Sequence, residues 1–241
     1  MKIKRSIFTI LFLLITGICL ATVVGDEPTR NTGMPNYSGS LQLGSIVTNT
    51  DDISGYSGRR ININTGEHRF NDQILSENPR RSINITRTVF MGIKEIRWHE
   101  KSDKPCSMLV RTRPLDLAID KTGYESASLC ESSRSEKKVE FRNRRHFLRG
   151  IAACTTNKKS SSKNRLKGIR IYPARVAASG TVTNINTFEE ERRHHCDIWF
   201  PPVFCRDGEI ASGVNIYYED DIFRGVGLRC RSVERLNSVL R

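Results

Sequence analysis

The chain has 241 residues, with 39 lysines and arginines against 26 aspartates and glutamates and a formal net charge of +13. That length suits one large domain or two small ones, and the basic balance suits contact with anionic surfaces such as acidic glycans, lipid headgroups, cell-wall polymers or nucleic acid. Beyond the N-terminus there is no apolar run long enough to cross a membrane as a helix, which argues against an integral membrane segment in the processed chain.

Lys2, Lys4 and Arg5 precede an apolar run over residues 7–20, and short residues follow up to the first acid, Asp26. This is the order of a cleavable signal peptide, expected over residues 1–25. The apolar stretch is about 14 residues, against roughly 20 for a spanning helix. The segment carries three cations and no acid, so the remainder keeps about +10.

Residues 26–82 are rich in Gly, Ser, Asn, Thr, Asp and Arg and lack cysteine, and their large apolar residues (Leu41, Leu43, Ile46, Phe70) are isolated. Such a composition buries too little to offset ordering entropy, so a flexible polar arm is expected here. Asn36 and Asn84 open glycan-acceptor triplets, which matter only where the host glycosylates.

Residues 83–241 read as a disulfide-bonded β domain. Residues 93–98, 166–172, 214–218 and 226–230 alternate apolar and polar with many β-branched side chains, the pattern of half-buried strands. Turn residues separate them at 157–164, 206–208 and 219–221. With Cys19 lost in the signal, Cys106, Cys130, Cys154, Cys196, Cys205 and Cys230 remain, and an even count in an exported chain implies three disulfides. Sequence alone leaves all 15 pairings of six cysteines open.

A glycine followed by an aliphatic residue recurs at Gly92, Gly150, Gly168, Gly213 and Gly225. A glycine inside a strand marks a bulge, a bend or a close approach. Repetition of the same bend predicts an all-β fold, a pseudo-symmetric antiparallel β-prism or barrel stapled by disulfides.

Residues 205–217, with Cys205, Gly208 and Gly213, followed by residues 223–230, with Gly225 and Cys230, resemble one repeat of the vitelline membrane outer layer protein I family. Residues 148–154 with 166–176 resemble a second copy, and residues 90–98 with 106–115 a third. The resemblance implies a β-prism of three sheets, an extracellular setting and a role in glycan binding or matrix. It also implies the bridge Cys205–Cys230, leaving Cys106–Cys130 and Cys154–Cys196. The second copy ends in Tyr172 and Pro173 where a cysteine is expected, so no ligand site is carried over.

Several constellations invite chemistry. His194, His195 and Cys196 are adjacent, but zinc sites need about four ligands and the other histidines are scattered, so a bridged Cys196 beside solvent-facing histidines is expected and no metal or other cofactor. Glu189, Glu190 and Glu191 read as a solvated turn rather than a carboxylate pair for glycoside hydrolysis. Two basic clusters stand out, Arg142, Arg144, Arg145, His146 and Arg149, and Lys158, Lys159, Lys163, Arg165 and Lys167. The second is the candidate polyanion patch. Trp199, between Cys196 and Cys205 and just ahead of Pro201 and Pro202, either packs over a disulfide or stacks on a sugar ring or membrane interface. The reading is a secreted, non-catalytic domain for extracellular glycans or matrix. The alternative is a secreted effector or toxin-like protein that engages anionic membranes or polyanions through its basic face. Specific nucleic-acid recognition is not expected, because aromatic residues are thin among the basic ones.

Overall fold

The computed structural model describes residues 36–38, 41–50, 59–75, 82–130, 135–157 and 164–236. The expected signal peptide, residues 1–25, lies outside them. Every regular element described is a strand, in keeping with the alternating, β-branched segments. The N-terminal strands are β1 (Asn36–Ser38), β2 (Leu41–Leu43), β3 (Thr48–Asn49), β4 (Arg59–Asn64) and β5 (Glu67–Leu75). There follow β6 (Ser82–Lys101), β7 (Lys104–Pro114), β8 (Gly123–Ser128), β9 (Ser135–Glu140), β10 (His146–Thr155) and β11 (Leu166–Val176). The rest are β12 (Val182–Asn184), β13 (Glu189–Arg192), β14 (Ile198–Trp199), β15 (Val203–Phe204), β16 (Glu209–Glu219) and β17 (Ile222–Arg235).

Three antiparallel hairpins, β6/β7, β10/β11 and β16/β17, form the middles of three sheets. They are the three copies expected from the repeat. Each hairpin is flanked by strands on both sides, and in the first two sheets the last strand returns beside the first, as in a Greek key. The first runs β9-β6-β7-β8, the second has β14 and β15 beside β10 and β12 and β13 beside β11, and the third runs β4-β16-β17 with β2 and β3. β5 and β1 extend the first sheet along the N-terminal half of β6.

Backbone hydrogen bonds repeat with the sheets. Phe141 N–H donates to Lys94 C=O, Cys205 to Arg149, and Thr65 to Ser212. Four residues before each of those acceptors, Phe90, Arg145 and Gly208 accept from Leu115, Val176 and Val233. The acceptors Lys94, Arg149 and Ser212 are each an extra residue in a bulge of the first hairpin strand, and Cys106, Lys167 and Arg224 are the extra residues in the returning strands.

This register corrects the glycine alignment. Gly150 and Gly213 follow their bulges, and Glu95, not Gly92, takes that place in the first sheet. Gly168 and Gly225 follow the second set of bulges, where the first sheet has Ser107. Gly92 has its own cause: a Cβ there would overlap the Phe147 ring.

The inward faces meet in one core. Ile93, Ile96 and Trp98 come from the first sheet, Leu148, Ile151, Ile169 and Ile171 from the second, and Val214, Ile216, Val226 and Leu228 from the third. Each such side chain contributes about 1.5–3 kcal/mol on burial. Three sheets around a shared core make a β-prism. Bridges Cys106–Cys130, Cys154–Cys196 and Cys205–Cys230 staple it, the last joining the end of β15 to β17 across two sheets.

The expectation of a loose arm over residues 26–82 does not hold for the residues described there. β4 pairs β16 along six positions, β2 and β3 pair β17, and β5 pairs β6. In the first two sheets the chain runs from the hairpin to the strand beside its second member, then to the strand beside its first. In the third sheet those two outer positions are filled from the N-terminus. Strands β2, β3 and β4 thus complete the third repeat cyclically. Few apolar side chains are needed for this, because Leu41, Leu43 and Ile63 face inward and their neighbours face out.

Candidate functional site

The second basic cluster does not form a solvent-facing patch from its described members. Lys158, Lys159 and Lys163 lie outside the described residues. Lys167 is fully buried, with its Nζ 2.5 Å from Asp103 Oδ1 and 3.3 Å from Glu100 Oε1. The bulge turns this side chain inward, which alternation alone does not reveal. Arg165 pairs with Asp103 at 3.5 Å. Arg193 reaches Glu100 at 3.2 Å, so the buried carboxylate is shared between two cations. Burial pushes the Glu100 pKa up against the pull of Lys167 and Arg193. This cluster ties the β6/β7 turn, where Ser102 and Asp103 take positive φ, to β11.

The outer face of the second sheet is different. Gly150 sits in register between Phe204 of β15 and Tyr172 of β11. A Cβ on Gly150 would overlap the Phe204 ring, so glycine lets that ring lie against the sheet. Gly168 does the same for Trp199: a Cβ there would come within 3.3 Å of the indole and 3.1 Å of Cys154 Cβ. Trp199 is therefore half-buried over the strand beside the Cys154–Cys196 bridge, in register with Cys154.

Between these two aromatics the face continues. The Arg170 guanidinium lies 4.2 Å from the Phe188 ring centre and 4.4 Å from that of Trp199. Stacking of this kind contributes about 0.5–1 kcal/mol at exposed sites. Tyr172 packs against Phe188 at 5.7 Å and edge-on against Phe204 at 5.1 Å. Arg149 lies 5.4 Å over Phe204 and pairs with Asp207 at 2.9 Å. The result is a row of rings from Trp199 through Phe188 and Tyr172 to Phe204. Phe188 and Phe204 remain 48% and 42% exposed. A cavity of about 340 Å³ opens between Phe188, Tyr172 and Phe204, and Arg149, Asn184, Asn186 and Thr187 supply its polar groups.

Charge holds the row in place. Glu190 accepts from Arg170 Nε at 2.9 Å and from Nη2 at 2.5 Å. Burial works against the Arg170 charge, but the bonds to Glu190 and Tyr172 outweigh it and hold the group above the usual guanidinium pKa. Residues 189–191 are thus in a strand and not a turn. Glu191 pairs with Lys137 of β9 at 2.6 Å, which joins two sheet edges. Cys196 is bridged, and among the described residues no cluster of three or more His, Cys, Asp or Glu could hold a metal ion.

Among the described residues, only the second sheet carries this surface. At the position of Gly150 the first sheet has Glu95, buried and held by Arg97 and by Arg111 at 2.7 Å. The third has Gly213 opposite Arg229. Of the ring-bearing residues, sequence reading singled out Trp199. Tyr172, Phe188 and Phe204 share no motif, and Arg170 and Tyr172 at alternate positions of β11 were the available signal.

The fold and this face define a β-prism domain with an open aromatic surface on one sheet. Among solved structures, the chain is similar to the agglutinin of Calystegia sepium, with 9% identity, 78% of this chain and 97% of that one covered, and a TM-score of 0.41. It is similar also to a mannose-specific jacalin-related lectin of Morus nigra in complex with mannose, with 11% identity, 84% and 99% coverage and a TM-score of 0.40. Frutapin, a lectin from Artocarpus incisa, is similar at 10% identity, 80% and 98% coverage and a TM-score of 0.40. No protein-family model matches the chain, and no curated protein matches it.

Proposed function

We propose that this protein is an exported, non-catalytic glycan-binding domain whose ligand lies on the outer face of the second sheet. The observation that carries this reading is the row Trp199, Phe188, Tyr172 and Phe204, with Trp199 and Phe204 laid against Gly168 and Gly150, and with Arg149, Asn184 and Asn186 at its rim. Sugar rings have an apolar face and a polar edge. A binding surface for them needs flat apolar area beside a few fixed hydrogen-bonding groups. Exposed rings packed this closely are otherwise costly on a soluble surface. The signal-like order of the N-terminal sequence and three disulfides support placement outside the reducing cytosol. The resemblance of residues 205–230 to the vitelline membrane outer layer protein I family supports the same reading.

The polyanion alternative draws no support from Lys167, Arg165, Arg149 and Arg170, which all face carboxylates, while Arg142 and Arg144 of the first basic cluster are exposed. An immobilised-glycan array separates the two. The glycan reading expects binding to a defined subset that persists at about 1 M salt, where charge contacts are screened within ~3 Å. Phe188→Ala should abolish it. Retention that follows only ligand charge and vanishes in salt would favour the alternative.

A further inference from the structure

The aromatic face does not end at Phe204. Beyond that ring lies a second cavity of about 320 Å³, where β15 meets the third sheet. Thr48, Asn49 and Thr50 line it from the N-terminal segment, and Val203, Phe204 and Arg206 from the other side. Phe204 therefore belongs to both cavities. Its position is fixed twice: its ring lies over Gly150, and the next residue, Cys205, is bridged to Cys230.

The two cavities differ in chemistry. The first is floored by Tyr172, Phe188 and Phe204. The second offers hydroxyls, an amide and one exposed guanidinium, with Phe204 as its aromatic wall. Each alone stands at the small end of the range for ligand sites, roughly 300–1,000 Å³. A ligand that spans both must be elongated, must cross the top of a ring, and must present hydrogen-bonding edges on the far side.

We propose that Phe204 is the shared wall of a two-subsite cleft and that the ligand is a linear oligosaccharide of two or more rings. One ring stacks in the first cavity, and the next passes over Phe204 to the Thr48, Asn49 and Arg206 side. This rests on the reading of the aromatic face as a glycan site. It adds that the N-terminal segment, by completing the third sheet, also completes the cleft.

The test is calorimetry with mannose, galactose and N-acetylglucosamine and their linear oligomers of up to four rings. For the sugar that binds, affinity should rise about tenfold or more, ~1.4 kcal/mol, between one ring and two or three, then level off. Arg206→Ala should lower the trimer affinity severalfold and leave the single sugar unchanged, and Phe204→Ala should weaken both. Equal affinity for one ring and three, with Phe188→Ala still abolishing binding, would overturn the two-subsite cleft and leave the face standing. Failure of every sugar to bind the folded, oxidised protein would overturn both.

Discussion

Lys167 and Arg224 occupy equivalent bulges in neighbouring sheets, and each is buried with its charge directed at the chain of another sheet. Lys167 reaches Glu100 and Asp103 at the β6/β7 turn, and Arg224 donates to the Asn164 carbonyl at 2.6 Å, just ahead of β11. The third equivalent, Cys106, is bridged to Cys130 instead. The same bulge thus ties neighbouring sheets by charge in two places and, in the first sheet, ties β7 to the residues after β8 by a disulfide.

Breaking the Lys167 anchor has a defined cost. Removing one partner of a buried ion pair leaves the other unpaired, so Lys167→Ala should lose about 3–5 kcal/mol in urea unfolding at neutral pH. Glu100 already has a raised pKa in the fold. A carboxyl raised in this way stabilises most below its unfolded value of 4.5, and that contribution fades as pH rises through the folded value. Without Lys167 the rise is larger. Lys167→Met should therefore regain stability relative to the parent on acidification, and a gap that stays constant with pH would contradict this.

Lys94 gives the opposite pH window. It is buried, donates to the carbonyls of Asn143 and His146, and burial and the nearby Arg111 and Arg113 charges lower its pKa to about 8. The unfolded lysine titrates near 10.5, so the unfolded chain binds more protons between those values and stability should rise there with pH. Comparison of parent and Lys94→Met denaturation midpoints at the two ends of that window isolates the effect. A parent that gains nothing on the variant as pH rises would refute it.

The glycines under the rings are tested by adding one methyl. Gly150→Ala should displace Phe204, costing about 1–3 kcal/mol from overpacking, and should weaken glycan binding. Gly208→Ala is a control away from the rings: its Cβ meets nothing within 4 Å, though its positive φ brings backbone strain. It should leave binding intact.

The Cys205–Cys230 bridge spans 25 residues of sequence and joins two sheets. Its removal by paired alanines should cost about 3 kcal/mol on the chain-entropy account. Because Cys205 follows Phe204, the same variant should bind oligosaccharide less tightly at temperatures where it remains folded. Unchanged affinity would separate the bridge from the cleft.

Much of the architecture was legible in residues 83–241. Alternation found segments of β6, β11, β16 and β17, and the resemblance to the vitelline membrane outer layer protein I family paired the segments of the three hairpins. Strands β2, β3 and β4 were not legible, because their partners lie some 150–190 residues away and their inward positions are few: Leu41, Leu43 and Ile63. The bulges misled in two ways. One put Lys167 indoors, and another put Glu95 where a third glycine was expected. The aromatic face was hidden for a further reason. Its rings come from β11, β14, β15 and the residue before β13, and only cross-strand register brings them together.

Hydroxyl-radical footprinting of the protein, alone and saturated with the best glycan from the array, tests where the sugar sits. The account expects Tyr172, Phe188, Trp199 and Phe204 to be protected together, with Tyr124 on the first sheet, 55% exposed, unaffected. Protection confined to other surfaces, with these four rings as reactive as before, would contradict it.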